Sequence, residues 1–155
     1  MRCCFAVCDE TATGRCAVVV KDKERTLCAN IGASQKYPTS HFDEHLEMFK
    51  STSLIYTTGF FITSNDEALK KVCAFASGNN TPLAFNIAAV FLLHIAKDSV
   101  MDCISHADYT FCNEDEASAY GKIFGIDEND RVASAIHIAT STKANTKRPR
   151  VTIIT

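Results

Sequence analysis

From Ser53 onward the chain alternates short apolar runs with longer amphipathic stretches, and few folds accommodate that alternation. Leu54 to Thr58, Leu83 to Asn86, Tyr109 to Cys112 and Val151 to Ile154 have the length and the β-branched or aromatic content of strands. The stretches between them read as helices. Asp66 to Ser77 carries Leu69, Val72, Cys73 and Ala76 at i, i+3, i+4 and i+7, with Asn65 as cap and Gly78-Asn79-Asn80 closing it. Val90 to Ala107 reads as one or two helices broken near Asp98, and further helices follow from Asn113 to about Phe124 and from Asp130 to about Thr140. Strands separated by helices cannot be joined as hairpins, so they predict βαβ units and a mainly parallel sheet in an α/β fold. Ligands of such sheets bind beyond the carboxyl ends of the strands. Here that edge would carry Gly59-Phe60, Asn86 and the segment Asn113 to Glu116.

The run Tyr109 to Ala117 shows how one junction can serve two ends. Asn113 stops the strand and can accept from the orphaned N–H groups of the next helix, and Glu116 stands where a capping-box acid stands. One acid suffices for a cap, yet Glu114, Asp115 and Glu116 come in succession. The excess of negative charge at a strand mouth suits Mg²⁺ held directly or through water, and a phosphate held through the ion.

The first 36 residues differ from the rest. Cys16 to Val20 and Thr26 to Ile31 flank the charged connection Lys21 to Glu24 and predict a β-hairpin. Pro38-Thr39 leads to Ser40 as the cap of a helix through about Ser51. We therefore expect one domain, with hairpin strands over residues 1–36 and an α/β core over 53–155.

A net charge of −2 offers no broad field for nucleic acid or anionic lipid. Among eight cysteines, Cys16, Cys28, Cys73, Cys103 and Cys112 fall inside apolar patterns, as free thiols do. Without a secretory leader or a membrane-length run, the expected setting is the cytoplasm, with the nucleus as an alternative, and reduced thiols. Cys3, Cys4, Cys8 and Cys16 match no zinc spacing. His41-Phe42-Asp43-Glu44-His45 does match H-x-x-E-H, but it sits at an acid-rich helix start with no evident third ligand, and zinc is not expected there. The six glycines form neither a P-loop nor G-x-G-x-x-G. Phe60 and Phe91 each follow a strand end closely and could stack on a planar ligand or join the core.

Five segments in order, Thr13-Gly14-Arg15-Cys16-Ala17, Arg25 to Ala33, Gly59-Phe60-Phe61, Ala84-Phe85-Asn86 and Asn113 to Ala117, resemble the adenosine-phosphorylating members of the ribokinase-like (pfkB) family. The resemblance runs from about Thr13 to Thr155 and covers the middle portion of a typical member. It implies a Rossmann-like three-layer α/β/α domain with a small β lid. The implied activity is transfer of the ATP γ-phosphate to the 5′-hydroxyl of adenosine, by a monomer using Mg²⁺. By position, Cys16, Ala29, Ile31 and Phe60 match residues around the nucleoside, with Phe60 stacking on adenine and Phe91 as another wall. Arg25 matches a residue near the transferring phosphate. Asn86, Asn113 and Glu116 match groups serving the ATP phosphates and Mg²⁺, Glu116 acting on the ion through water. Arg15 replaces a usual Thr, Ala88 and Val90 replace a Ser and a turn Pro, and Cys112 replaces a Gly. The family's ribose-gripping N-terminal residues, its glycine-rich anion hole and its catalytic Asp have no counterpart here. The 155 residues alone are thus expected to be a fragment without measurable phosphorylation. Another sugar or nucleoside kinase of this family, or a non-catalytic paralogue, are the alternatives.

Overall fold

The computed structural model of the protein describes residues 3–155. A hairpin comes first, β1 (Thr13–Lys21) and β2 (Glu24–Gly32), followed by the short helices α1 (Ser40–Glu44) and α2 (Leu46–Lys50). The rest alternates as β3 (Ile55–Thr58), α3 (Phe60–Gly78), β4 (Leu83–Asn86), α4 (Val90–Ile95), α5 (Lys97–His106), β5 (Tyr109–Cys112), α6 (Glu114–Ile123), α7 (Arg131–Thr140) and β6 (Val151–Ile154). The last four strands form one parallel sheet in the order β3-β4-β5-β6.

That order follows from the connections. Each crossover moves one place in the same direction, and right-handed crossovers of that kind set their helices on one face of the sheet. Accordingly α3 packs on α5, α4 on α6 and α6 on α7. Their apolar stripes close over Ile55, Leu83, Phe85, Thr110 and Cys112, with Leu69, Leu93, Cys103, Ile104, Tyr120 and Ile138 in the core. The opposite face bears Tyr56, Tyr109 and Val151 in one register row, 59%, 39% and 45% exposed, so β6 is less covered than its apolar sequence suggests.

Two polar junctions fix the helices. Asn65, at φ −164°, interrupts α3, and its side-chain oxygen accepts from the Ala68 N–H at 2.9 Å while its amide donates to the Tyr37 carbonyl. The cap read from sequence is therefore present, and one further turn, from Phe60, precedes it. Asp130 accepts from the Ala133 N–H at 2.8 Å and starts α7. The break after α4 falls at Ala96 rather than near Asp98.

Three expectations need correction. Ser40 is the first residue of α1 and Thr39 precedes it, so Ser40 does not cap. The single helix through Ser51 is two, because His45 leaves helical geometry and its Nδ1 donates to the His41 carbonyl at 2.8 Å, ending α1. Cys16 and Cys28 are exposed, unlike Cys73, Cys103 and Cys112, because the hairpin stands clear of the core.

The hairpin turn places Asp22 at φ 50° and Lys23 at φ 72°, the left-handed pair of a type I′ connection. Replacing Lys23 by glycine relieves a Cβ contact, offset in part by chain entropy, for a net gain of roughly 0.5 kcal/mol. Amides of β1 and β2 are expected to exchange about twofold more slowly in Lys23→Gly, with the core unchanged. Faster exchange would contradict the turn assignment.

Candidate functional site

The carboxyl edge of the sheet gathers the polar residues singled out above. Thr58, Asn86 and Phe111 stand in one register row, so Gly59, Asn86 and Asn113 all lie at that edge. The strand ends are tied together there: the Gly59 N–H donates to the Asn86 carbonyl at 2.8 Å, and the Ile87 N–H to the Phe111 carbonyl at 3.0 Å. Gly59 has no room for a side chain, since a Cβ would meet the Ile87 carbonyl oxygen at 2.3 Å. Asn86 folds its side-chain oxygen onto the Ala88 N–H at 3.1 Å, and Ala88 takes φ 70° to turn the chain into α4.

Asn113 and Glu116 form a complete capping box. The Asn113 side chain accepts from the Glu116 N–H at 2.8 Å, and the Glu116 carboxylate accepts from the Asn113 N–H at 3.0 Å. Glu116 is 3% exposed, and this bond engages one of its two carboxylate oxygens. Glu114 pairs with Arg131 at 2.8 Å, and Asp115 faces a separate hollow beside His94 and Lys122. Burial, reinforced by the Glu116 carboxylate, pushes the Cys112 thiol up to about 12, so it stays protonated and is no nucleophile at neutral pH.

A second group of residues meets between the hairpin and the first turn of α3. Cys16 and Ala29 are direct cross-strand partners. With Ile31 and Phe60 they line a cavity of about 540 Å³ whose other walls include Arg15, Phe61 and Thr63. Several polar groups at its rim are already engaged: Thr63 Oγ1 donates to the Phe60 carbonyl, Ser34 Oγ to the Ile31 carbonyl, and Asn30 accepts from the Gly32 N–H. What remains is an apolar slot suited to a flat ring. Phe60 is 49% exposed and Phe91 45%, their centroids 6.2 Å apart, so neither belongs to the core.

Arg25 is not brought to this cavity. It pairs with Val20 near the hairpin turn, about 13 Å along the strand from Ala29, although on the same face. Thr63 and Ser64 line the cavity with Phe60 and were missed in the sequence; the i, i+3, i+4 spacing from Phe60 could have found them, had the first turn of α3 been recognised. The H-x-x-E-H motif lies elsewhere, at the break between α1 and α2. One potential ligand atom each from His41, Glu44 and His45 lie within 4.8 Å of one another, so the Glu of the motif is brought beside its two histidines.

The pfkB family carbohydrate kinase model matches residues 4–155. The adenosine kinase of Schizosaccharomyces pombe is 34% identical over 97% of this chain and 46% of its own length. Adenosine kinase 1 of Arabidopsis thaliana is 32% identical over 95% of this chain and 43% of its own. Among solved structures, Anopheles gambiae adenosine kinase in complex with a di-adenosine tetraphosphate superposes with a TM-score of 0.88 at 31% identity, covering 96% of this chain and 45% of that one. Schistosoma mansoni adenosine kinase in complex with 2-fluoroadenosine superposes at 0.85 and 32% identity, over 92% of this chain and 42% of that one. The chain thus spans a little under half the length of the relatives it matches.

Proposed function

We propose, from the premise that this chain belongs to the pfkB family of carbohydrate kinases, that it serves the ATP-dependent phosphorylation of adenosine at its 5′-hydroxyl. The observation that carries this reading is the slot formed by Cys16, Ala29, Ile31 and the half-exposed Phe60, opening beside the carboxyl edge of the sheet. A nucleobase offers Phe60 a flat face to stack on, whereas a free sugar offers none, so the slot favours a nucleoside over a sugar substrate. Phe91 borders the same aromatic surface.

In this reading the edge residues serve ATP. The Asn113 amide, and that of Asn86 in exchange for its 3.5 Å bond to the Tyr56 hydroxyl, would donate to phosphate oxygens, while their own oxygens hold the turn and the helix start. The carboxylate oxygen of Glu116 left outside the capping box fits a hydrated Mg²⁺, contacted through water. When bound, that ion neutralises charge between the phosphates. In this reading Arg25, on the same face of β2 as Ala29, is the phosphate-side cation. Adenosine and ATP are then the partners, and a cytoplasmic monomer the working form; no described helix is long and apolar enough to cross a membrane.

Kinetics of the protein carrying this chain test the assignment. Phe60→Ala removes a stack of about 1–3 kcal/mol, so adenosine KM is expected to rise about fivefold or more with kcat little changed. Glu116→Gln is expected to lower kcat and flatten its Mg²⁺ dependence. A Phe60→Ala enzyme with wild-type adenosine KM would remove the nucleoside slot from consideration.

A further inference from the structure

Away from the sheet edge, at the break between α1 and α2, His41, Glu44 and His45 converge. We propose that these three side chains form a site for a divalent transition cation of the Zn²⁺ class, with an open coordination position.

The hydrogen bonds of the two imidazoles carry the argument. His45 Nδ1 lies 2.8 Å from the His41 carbonyl. A carbonyl only accepts, so Nδ1 carries a hydrogen and Nε2 is the nitrogen left for a metal. His41 Nε2 lies 3.3 Å from the Cys4 carbonyl, which by the same reasoning leaves Nδ1 for a metal. Each ring thus has one nitrogen anchored to a backbone carbonyl and the other left for a metal, the outer-shell arrangement that orients metal-bound histidines. The rings lie 4.2 Å apart between centroids, tilted by 40°, and Glu44, exposed and unpaired among the described ion pairs, adds one negative charge.

Ligand atoms around a tetrahedral Zn²⁺ at about 2.0–2.1 Å stand about 3.4 Å apart. The observed spacing, within 4.8 Å, is wider than that, and the exposed Glu44 is the ligand most able to move inward. The donor set of two imidazoles and a carboxylate selects Zn²⁺, Co²⁺ or Cu²⁺ over Mg²⁺, which prefers all-oxygen shells. The site is thus chemically distinct from the sheet edge. It also has a neighbour worth restraining: the Tyr37 ring meets His41 at 5.3 Å and Phe61 at 5.1 Å, and Phe61 lines the apolar slot.

Co²⁺ titration of the 155-residue chain, kept reduced, tests the proposal. One equivalent is expected to give the visible d–d bands of a nitrogen and oxygen site without a thiolate charge-transfer band, and Zn²⁺ is expected to displace it. His41→Ala and His45→Ala are each expected to weaken binding at least about tenfold. Because His45 also ends α1, NMR of the wild-type chain supplies a readout independent of any variant: Zn²⁺ should shift the ring protons of both histidines at one equivalent. Absence of saturable binding, unshifted His41 and His45 rings, or a thiolate band that persists in the His41→Ala/His45→Ala double variant would each overturn it.

Discussion

Asp108→Ala is expected to lower the unfolding free energy of the 155-residue chain by about 3–5 kcal/mol, the scale of breaking a buried ion pair from one side. Asp108 precedes β5 at the amino edge of the sheet, opposite the candidate site. One carboxylate oxygen takes Lys143 Nζ at 2.7 Å and Arg148 Nε at 3.2 Å, and the other takes the Leu83 N–H at 3.0 Å. The Asp108 and Lys143 side chains are 5% and 8% exposed, so the alanine variant leaves a buried ammonium with no counter-charge and only the Asn145 carbonyl, at 2.6 Å, to donate to. The backbone of Asp108 is equally engaged, donating to the Leu83 carbonyl and accepting from the Val151 N–H, both at 2.8 Å, so one residue joins three strands.

The pH dependence has a definite sign. Burial pushes the Asp108 carboxyl up, but hydrogen bonds from Lys143, the Leu83 N–H and Arg148 outweigh it and hold the group below the ordinary carboxylate value. Its contribution is therefore complete above the unfolded value of about 3.9 and is lost as pH falls through the folded one. Urea melts should show a lower midpoint with an unchanged slope in the variant, and a gap from wild type that narrows only in acid below about pH 4. A gap under about 1 kcal/mol at neutral pH would mean that the network is inert.

Gly59→Ala should do comparable damage to function with less to stability. The added Cβ would meet a backbone oxygen, that of Ile87, at 2.3 Å and the Leu92 side chain at 2.8 Å. Neither backbone can yield simply, because the Gly59 N–H already binds the Asn86 carbonyl and the Ile87 N–H binds that of Phe111. Relief must come from parting the strand ends, at a cost of about 1–3 kcal/mol. Phe60 is the next residue and Asn86 the bonded partner, so the slot and the phosphate-facing amide move together. A displacement near 1 Å at such groups can cost about a hundredfold in rate, which we expect in kcat/KM for adenosine in the protein carrying this chain. A folded Gly59→Ala protein with undiminished kcat/KM would separate that junction from the site.

Much of this architecture is legible in the sequence where local chemistry and tertiary need coincide. Asn113 and Glu116 declare a capping box three residues apart, and that box is present. Asn65 likewise caps the main part of α3. Alternation of strands and helices implies the parallel sheet because nothing shorter than a helix can return the chain. Legibility fails where a residue's fate depends on what lies over it. Cys16 and Cys28 look like core positions, yet the two-stranded ribbon that holds them has no layer against it among the described residues. The first turn of α3 was missed because Phe60-Phe61-Ile62 directly prolongs a strand-like run, and only the break at Asn65 separates it from the long helix. His45 was read through as helix because its side chain, not its propensity, ends α1.

The agreement of strand order with chain order bears on how the molecule is assembled in time. Each of β4, β5 and β6 joins a partner made immediately before it, so among the described residues no strand of this sheet waits for a distant segment or inserts between two already paired. Pairings of short sequence separation carry a small loop-closure penalty and favour rapid folding. Emerging from the ribosome, β3 and α3 present a template for β4, and the edge then advances one strand at a time, in step with synthesis.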